Sequence, residues 1–78
     1  NPVTNGIIGL AFTNLRGGIY LVRVLKNNGQ TIIKNIINHV SGNSMEFIRP
    51  KYKMNTGIYQ IEITTPDKTI TYLKVIVK

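Results

Sequence analysis

Cysteine and tryptophan are absent from this chain, which has a single histidine and three acidic residues against ten Lys and Arg. Without cysteine, neither a disulfide nor a thiolate metal site can form. One histidine and three carboxylates are too few for the usual metal sites, which need several ligands. We therefore expect no metal and no cofactor, and a fold that depends on its hydrophobic core alone.

Long apolar runs are also absent. No stretch approaches the roughly 18 apolar residues of a membrane helix, and no signal peptide occurs within these residues. A length of 78 residues suits one small domain, and a hydrophobic fraction of 42% argues against disorder. The expectation is one folded domain that crosses no membrane by a helix of its own.

The charge is strongly one-sided, with a net value of +7. Such a balance favours acidic partners, such as anionic lipid, lipopolysaccharide phosphates or nucleic acid. It also keeps a small β domain soluble and protects its strand edges from aggregation. The basic residues are spread along the chain, and no aromatic RNA-binding signature accompanies them, so we expect no nucleic-acid partner.

What the sequence does contain is alternation of apolar and polar residues, which indicates β-strands, whereas no helical period is present. Turn motifs, among them "NNG" at residues 27–29, separate the strands. Short strands at this spacing are typical of a sandwich or small barrel, and we predict an Ig-like antiparallel β-sandwich of six to seven strands. The six clear strands are Ile7–Leu15, Ile19–Lys26, Thr31–Val40, Met45–Ile48, Gly57–Thr65 and Thr69–Lys78.

The pattern also predicts the positions of a bulge and of a loop. The strand that begins at Thr31 is apolar on both sides, which favours a bulge or break near Asn35. The segment "SGNS", Ser41 to Ser44, has the composition of a loop.

The tripeptide "GIY" occurs twice, at residues 18–20 and 57–59, and each copy opens a strand. Glycine lets the chain bend sharply as it enters a sheet. A tyrosine two residues later can place its ring in the core while its hydroxyl reaches solvent or a loop carbonyl. Two similarly built strand entrances explain the repeat better than a pair of ligand-binding tyrosines.

Residues suited to catalysis are scarce. His39 lies in a strand, where a lone histidine is usually structural or solvated. Glu46 and Glu62 lie in different strands and nothing in the pattern suggests that they meet, while Asp67 follows Pro66 in a turn. We predict that the domain is not an enzyme.

The combined pattern resembles a known family. "NPV" stands at the start, "GIYLVRVL", "NNGQ" and "GIYQIEI" follow in order, and "LKVIVK" stands at the end. This resembles the type A C-terminal sorting domain of the type IX secretion system of Bacteroidota. No single motif is specific, but their order, spacing, total length and basic final strand are similar along the whole chain. The resemblance implies that residues 1–78 are one sorting domain cut from the end of a larger secreted protein.

The resemblance also implies a role. Such a domain directs its cargo through the periplasm and across the outer membrane to the cell surface or medium. The implied partners are the outer-membrane translocon with its shuttle proteins, and a sortase that removes the domain. The cargo is then attached to anionic lipopolysaccharide or released.

Individual positions follow from the same comparison. Glu62 departs from the family, because a basic residue often stands there, and this argues against a basic stripe on its strand. The positions that match are Asn1 and Pro2 at the opening, Gly18, Tyr20 and Arg23 in the first G-x-Y strand, Gly29 in the hairpin, Gly57 and Tyr59 in the second G-x-Y strand, and Lys74, Val75, Ile76, Val77 and Lys78 at the end.

Other functions remain open at this point. A terminal strand can add to a partner's sheet or pair with a second copy as a weak homodimer. An Ig-like module that binds carbohydrate or protein is the main alternative, with Tyr52 and Tyr72 as candidate exposed aromatics. A basic OB-type barrel that binds single strands is the third.

Overall fold

The long strands of this domain each turn one side to the core, as their alternating apolar residues require. A computed structural model describes residues 3–4, 6–50 and 54–78. Within these residues every strand pairing is antiparallel. The strands are β1 (Val3–Thr4), β2 (Ile7–Leu15), β3 (Gly18–Lys26), β4 (Thr31–His39), β5 (Gly42–Ile48), β6 (Gly57–Thr64) and β7 (Ile70–Val77).

Two sheets face each other. One has three strands in the order β1-β2-β5, and the other has four in the order β4-β3-β6-β7. The predicted Ig-like antiparallel sandwich is confirmed, and its two sheets exclude the OB-type barrel. The core between them contains Ile8, Leu10, Phe12, Tyr20, Val22, Val24, Ile37, Ile48, Met54, Tyr59, Ile61, Val75 and Val77.

Two sequence predictions are wrong in position. The register shift on β4 lies opposite Val24 and Leu25, which makes Ile32 the extra residue rather than Asn35. β4 is apolar on both sides because Ile36 points outward and stays exposed. The predicted loop at Ser41–Ser44 is mostly strand, since Gly42 and Ser44 already pair with β2.

Among the described residues, no helix has the length and apolar character needed to cross a bilayer.

Candidate functional site

The two tyrosines of the repeated tripeptide form the same local structure. Tyr20 and Tyr59 are both buried in the core, near the starts of β3 and β6. The hydroxyl of Tyr20 donates to the carbonyl of Arg16 at 2.8 Å, and that of Tyr59 donates to the carbonyl of Asn55 at 2.7 Å. Each acceptor lies four residues before its tyrosine, as in the tyrosine corner of Ig-like sandwiches. Both hydroxyls therefore serve the fold.

The glycine two residues before each tyrosine has a backbone conformation that favours glycine. Gly18 has a φ of +144° and Gly57 a φ of +155°, a region that other residues rarely adopt. A Cβ at Gly18 would also approach the Pro66 Cγ to 2.7 Å, which is too close for ordinary contact. Gly29 lies outside these corners, in the β3–β4 turn with a φ of +90°. All three glycines occupy structural positions.

Arg23 and Glu62 face each other in the middle of the four-stranded sheet. The Arg23 Nε donates to the Glu62 Oε1 at 2.6 Å, and its Nη2 lies 2.5 Å from the same oxygen. The Glu62 side chain is almost fully buried, whereas that of Arg23 is about one-third exposed. The glutamate that departs from the family pattern is therefore the partner of the arginine that matches it.

Tyr72 extends this cluster onto the edge strand. Its hydroxyl donates to the Glu62 Oε2 at 3.0 Å. This hydrogen bond, followed by the negative charge of Glu62, raises the pKa of Tyr72 above its ordinary value. The ring itself remains 54% exposed. The cluster thus holds an exposed aromatic residue in a fixed place.

The terminal strand presents only alternate residues to a partner. Val75 and Val77 are buried in the core, whereas Lys74, Ile76 and Lys78 are exposed. β7 is an edge strand of its sheet within the described residues. The predicted terminal motif therefore divides into an anchor of two valines and an exposed set of two lysines and one isoleucine. Asn1 and Pro2, the opening motif, lie outside the described residues.

A polar cluster around the buried His39 joins the two sheets where β4 and β5 meet. The Ser44 hydroxyl donates to the Glu46 Oε2 at 2.6 Å and lies 3.1 Å from the His39 Nδ1. The His39 Nε2 lies 3.3 Å from the Gly42 carbonyl oxygen, and its ring packs edge-on against Phe12. Serine, histidine and glutamate also occur in hydrolytic triads. Here the histidine side chain has no solvent exposure, so the cluster's evident role is to tie the sheets together.

This cluster was missed at the level of sequence because Ser44 was assigned to a loop. Its available signal was the spacing of Ser44 and Glu46, which puts both side chains on one side of a strand. Neither Glu46 nor Glu62 approaches the other, since they belong to different sheets. Across the described ranges, no group of three His, Cys, Asp or Glu side chains is placed to hold a metal ion.

The two exposed aromatic residues in the part of the chain that the structure describes, Phe47 and Tyr72, lie apart. Phe47 on β5 is 51% exposed and points away from the three-stranded sheet, whereas Tyr72 lies on the opposite side of the sandwich. Tyr52 lies outside the described residues. A carbohydrate site built on a row of aromatics is therefore not formed by Phe47 and Tyr72.

A cleft of about 500 Å³ opens beside the edge strand β4. Its floor includes Met54 and Tyr59, and three cationic side chains line it, those of Lys26, Lys34 and Arg49. No acidic residue is among its described lining residues. The cleft has the size of a small-molecule site and the charge to favour an anion.

Comparison with known proteins gave no match: no family model, no curated protein and no solved structure matches the chain.

Proposed function

We propose that this domain is a C-terminal secretion signal that directs an attached cargo protein across the outer membrane through the type IX secretion system. The observation that carries the proposal is the form of the terminal strand. Val75 and Val77 anchor β7 in the core, so Lys74, Ile76 and Lys78 are displayed on a folded surface. The sandwich fold is also the fold that the resemblance implies.

In this proposal the secretion machinery recognises the folded surface of the domain rather than a linear peptide motif. The translocon and its shuttle proteins would meet the exposed residues of β7 or add a strand to its free edge. A sortase would then remove the domain, and the cargo would remain on the cell surface, attached to anionic lipopolysaccharide, or be released. The domain itself performs no chemistry in this scheme.

The test uses a fluorescent protein that carries an N-terminal signal peptide and residues 1–78 at its C-terminus, expressed in a Bacteroidota strain with the type IX machinery. Reversing the charges of Lys74 and Lys78 to glutamate is expected to reduce surface and medium fluorescence at least tenfold. Circular dichroism must show that the variant is folded. The matched control reverses Lys26 and Lys68, which are also exposed but lie in or beside turns. Normal export of the Lys74 and Lys78 variant would remove the terminal strand from the recognition surface.

A second candidate is a non-catalytic binding module, and the cleft beside β4 is the observation that favours it. Three cations above an apolar floor suit a small anionic ligand with an apolar part. Titration of the isotope-labelled domain with a sulfated disaccharide and with a medium-chain alkyl phosphate, followed by NMR, tests this function. Saturable shifts confined to Lys34, Arg49 and Tyr59 would support it, and unchanged spectra at millimolar ligand would exclude it for these two ligand types.

A further inference from the structure

The outward face of the four-stranded sheet is unusually apolar. This face consists of the side chains of β3, β4, β6 and β7 that point away from the core. An antiparallel sheet with one solvated side normally carries polar residues there. Here Ile19, Ile36, Ile70, Tyr72 and Ile76 are each at least half exposed. Scattered exposed apolar residues are ordinary, so what matters is whether these are contiguous.

Strand register places most of them close together, although Lys74 separates Ile76 from Tyr72. Ile36, Leu21, Thr64 and Ile70 are successive neighbours in one row across all four strands, and Ile19 lies beside Leu21 on the same side of β3. The row spans about 14 Å at about 4.8 Å per strand. Three of its four members are aliphatic, and the fourth, Thr64, lies between Leu21 and Ile70, so the row is a mainly apolar strip.

A second row crosses the sheet beside this strip. It contains Lys34, Arg23, Glu62 and Tyr72 as successive neighbours. Glu62 is buried and held by Arg23, so it offers no free negative charge to a partner. Lys34 on this row and Lys74 beside it on β7 are exposed. The outward face therefore presents apolar side chains, exposed cations and some uncharged polar residues such as Asn38 and Gln60, and Glu62 adds no free negative charge.

The face is also rigid. Isoleucine is β-branched and has few rotamers in a strand, so fixing it at an interface costs little conformational entropy. The Tyr72 ring is held at its hydroxyl by Glu62. Exposed aromatic and aliphatic side chains that are already fixed in place are typical of the centre of a protein interface.

We infer that the outward face of the four-stranded sheet is a docking surface for a protein, and that the partner presents an apolar centre bordered by carboxylates. Ile36, Ile70 and Tyr72 supply the apolar contact, while Lys34 and Lys74 pair with the acidic border. The identity of the partner as a translocon or shuttle protein rests on the proposed function, whereas the surface itself does not.

The observations favour a protein over an anionic membrane. Surfaces that insert into the headgroup region usually combine Trp, Phe or Leu with many basic residues. This face has isoleucines and only two exposed lysines, Lys34 and Lys74. Its extent, about 14 Å across the strands and about 20 Å from Ile70 to Ile76, suits a small and transient protein contact.

A photo-reactive benzoylphenylalanine at Ile70 tests the surface in cells that carry the fluorescent fusion. Met45 is the matched control position, because it is 50% exposed, as Ile70 is 52% exposed, but points outward from the other sheet. After irradiation, the expected result is a discrete cross-linked protein from Ile70 at no less than tenfold the yield from Met45. Mass spectrometry identifies it, with a translocon or shuttle protein as the expected product.

Two sets of variants test the chemistry of the contact. Lys34→Glu with Lys74→Glu should abolish the Ile70 cross-link, whereas Lys26→Glu with Arg49→Glu, two exposed cations outside this face, should leave it unchanged. Ile36→Thr keeps a β-branched residue and should reduce the yield several-fold, whereas Val40→Thr, at a position 83% exposed but outside the face, should not. Only variants whose urea midpoints match that of the parent domain are compared, so that a loss of stability cannot explain a loss of cross-linking.

The outcomes distinguish a failure of the proposed docking surface from a failure of the proposed secretion function. Equal cross-linking from Ile70 and Met45, or a cross-link indifferent to charge reversal, would overturn the docking surface. So would an Ile70-dependent association with phosphatidylglycerol vesicles without any protein cross-link, which would assign the face to membranes. Export of the Ile36→Thr and Ile70→Thr double variant at the normal level would leave the secretion signal standing and refute its use of this face. A fusion that is not exported would refute the secretion function, and the cross-link would still decide the surface.

Discussion

Two turns of this domain have the same hydrogen bonds but place different residues in the left-handed backbone region. In the β3–β4 turn, the amides of Lys26 and Gly29 donate to the carbonyls of Gln30 and Lys26. In the β6–β7 turn, Thr65 and Lys68 occupy the same places and make the same bonds. Gly29 has a φ of +90°, and Lys68 has a φ of +74°.

This difference predicts opposite effects of substitution. Lys68→Gly should stabilise the domain by up to about 1 kcal/mol, because it relieves the strain of a side chain at positive φ. The greater flexibility of glycine in the unfolded chain offsets part of this gain. Gly29→Ala should destabilise it by about 1 kcal/mol. Urea midpoints at unchanged m-values measure both changes. A neutral Gly29→Ala variant together with a destabilised Lys68→Gly variant would contradict the shared geometry.

The same turn contains a carboxylate with a shifted titration. The Thr65 hydroxyl donates a short hydrogen bond to the Asp67 Oδ1, and the Thr69 amide donates to the same oxygen at 3.1 Å. These bonds, that of Thr65 foremost, lower the pKa of Asp67 from its ordinary 3.8 to about 2. Because the folded-state pKa is depressed, the stabilisation is present above pH 4 and is lost as pH falls through about 2.

Carboxyl NMR of the folded domain checks this prediction. Asp67 should titrate near pH 2 in the natural sequence. Thr65→Val should move its midpoint toward the ordinary value, whereas the neighbouring Thr64→Val should not. An Asp67 midpoint unaffected by loss of the Thr65 hydroxyl would show that this hydrogen bond does not cause the shift.

At the scale of the strands, the repeated corner is the feature that sequence predicted best. A tyrosine hydroxyl that reaches a loop carbonyl depends on residues four apart, so its geometry is local and visible in "GIY". The alternation likewise located the long strands to within one or two residues, except for β5, because burial of one side leaves a direct trace in sequence. The two-residue β1 leaves no such trace and was not among the six predicted strands.

Removing each hydroxyl tests the corner directly. Tyr20→Phe and Tyr59→Phe should each destabilise the domain by about 1 kcal/mol, the usual net value of a hydrogen bond, since the rings stay in the core. The two tyrosines lie at opposite ends of the paired strands β3 and β6, so the double variant should show the sum of the two effects. Negligible changes in both single variants would mean that the corners do not stabilise the fold.

Contacts between distant strands were beyond prediction. Arg23 and Glu62 are 39 residues apart, and only the pairing register of β3 with β6 brings them together. The sequence contained one indication of this pairing, because Arg23 and Glu62 each lie five residues after the glycine of a G-x-Y motif. The sequence pattern fixes which side of a strand a residue occupies but not its neighbour on the next strand. The bulge was misplaced for the same reason.

Double-mutant analysis measures the Arg23–Glu62 pair. Arg23→Met should cost about 2 kcal/mol, because it leaves a buried carboxylate without its charged partner, although Arg23 itself is partly exposed. Replacing both residues with methionine should restore most of the lost stability. If the double variant were as unstable as the sum of the single ones, the pair would not be coupled.

At the scale of the whole molecule, the sandwich separates residues that fold the domain from residues that a partner can reach. Gly18, Tyr20, Gly57 and Tyr59 match the family pattern yet serve the corners. Val75 and Val77 close the core. Of the terminal motif, only Lys74, Ile76 and Lys78 are available for recognition. The fold class could be predicted from the sequence. Which residues of each motif are buried and which are exposed became clear only from the packing of the two sheets.

The His39 cluster also belongs to this scale, because it links an edge of one sheet to an edge of the other. Its hydrogen bonds bridge β4 and β5 beside the point where the chain passes between sheets. Across the described residues, no buried side-chain nitrogen or oxygen is without a partner.

Export of the fusion in two strains tests the central claim most directly. The fluorescent protein with residues 1–78 at its C-terminus is expressed in a Bacteroidota strain with an intact type IX system and in one that lacks the translocon. We predict that folded fusion reaches the cell surface or medium only in the intact strain, at least tenfold above the translocon mutant. Equal retention of folded fusion in the periplasm of both strains would contradict the account.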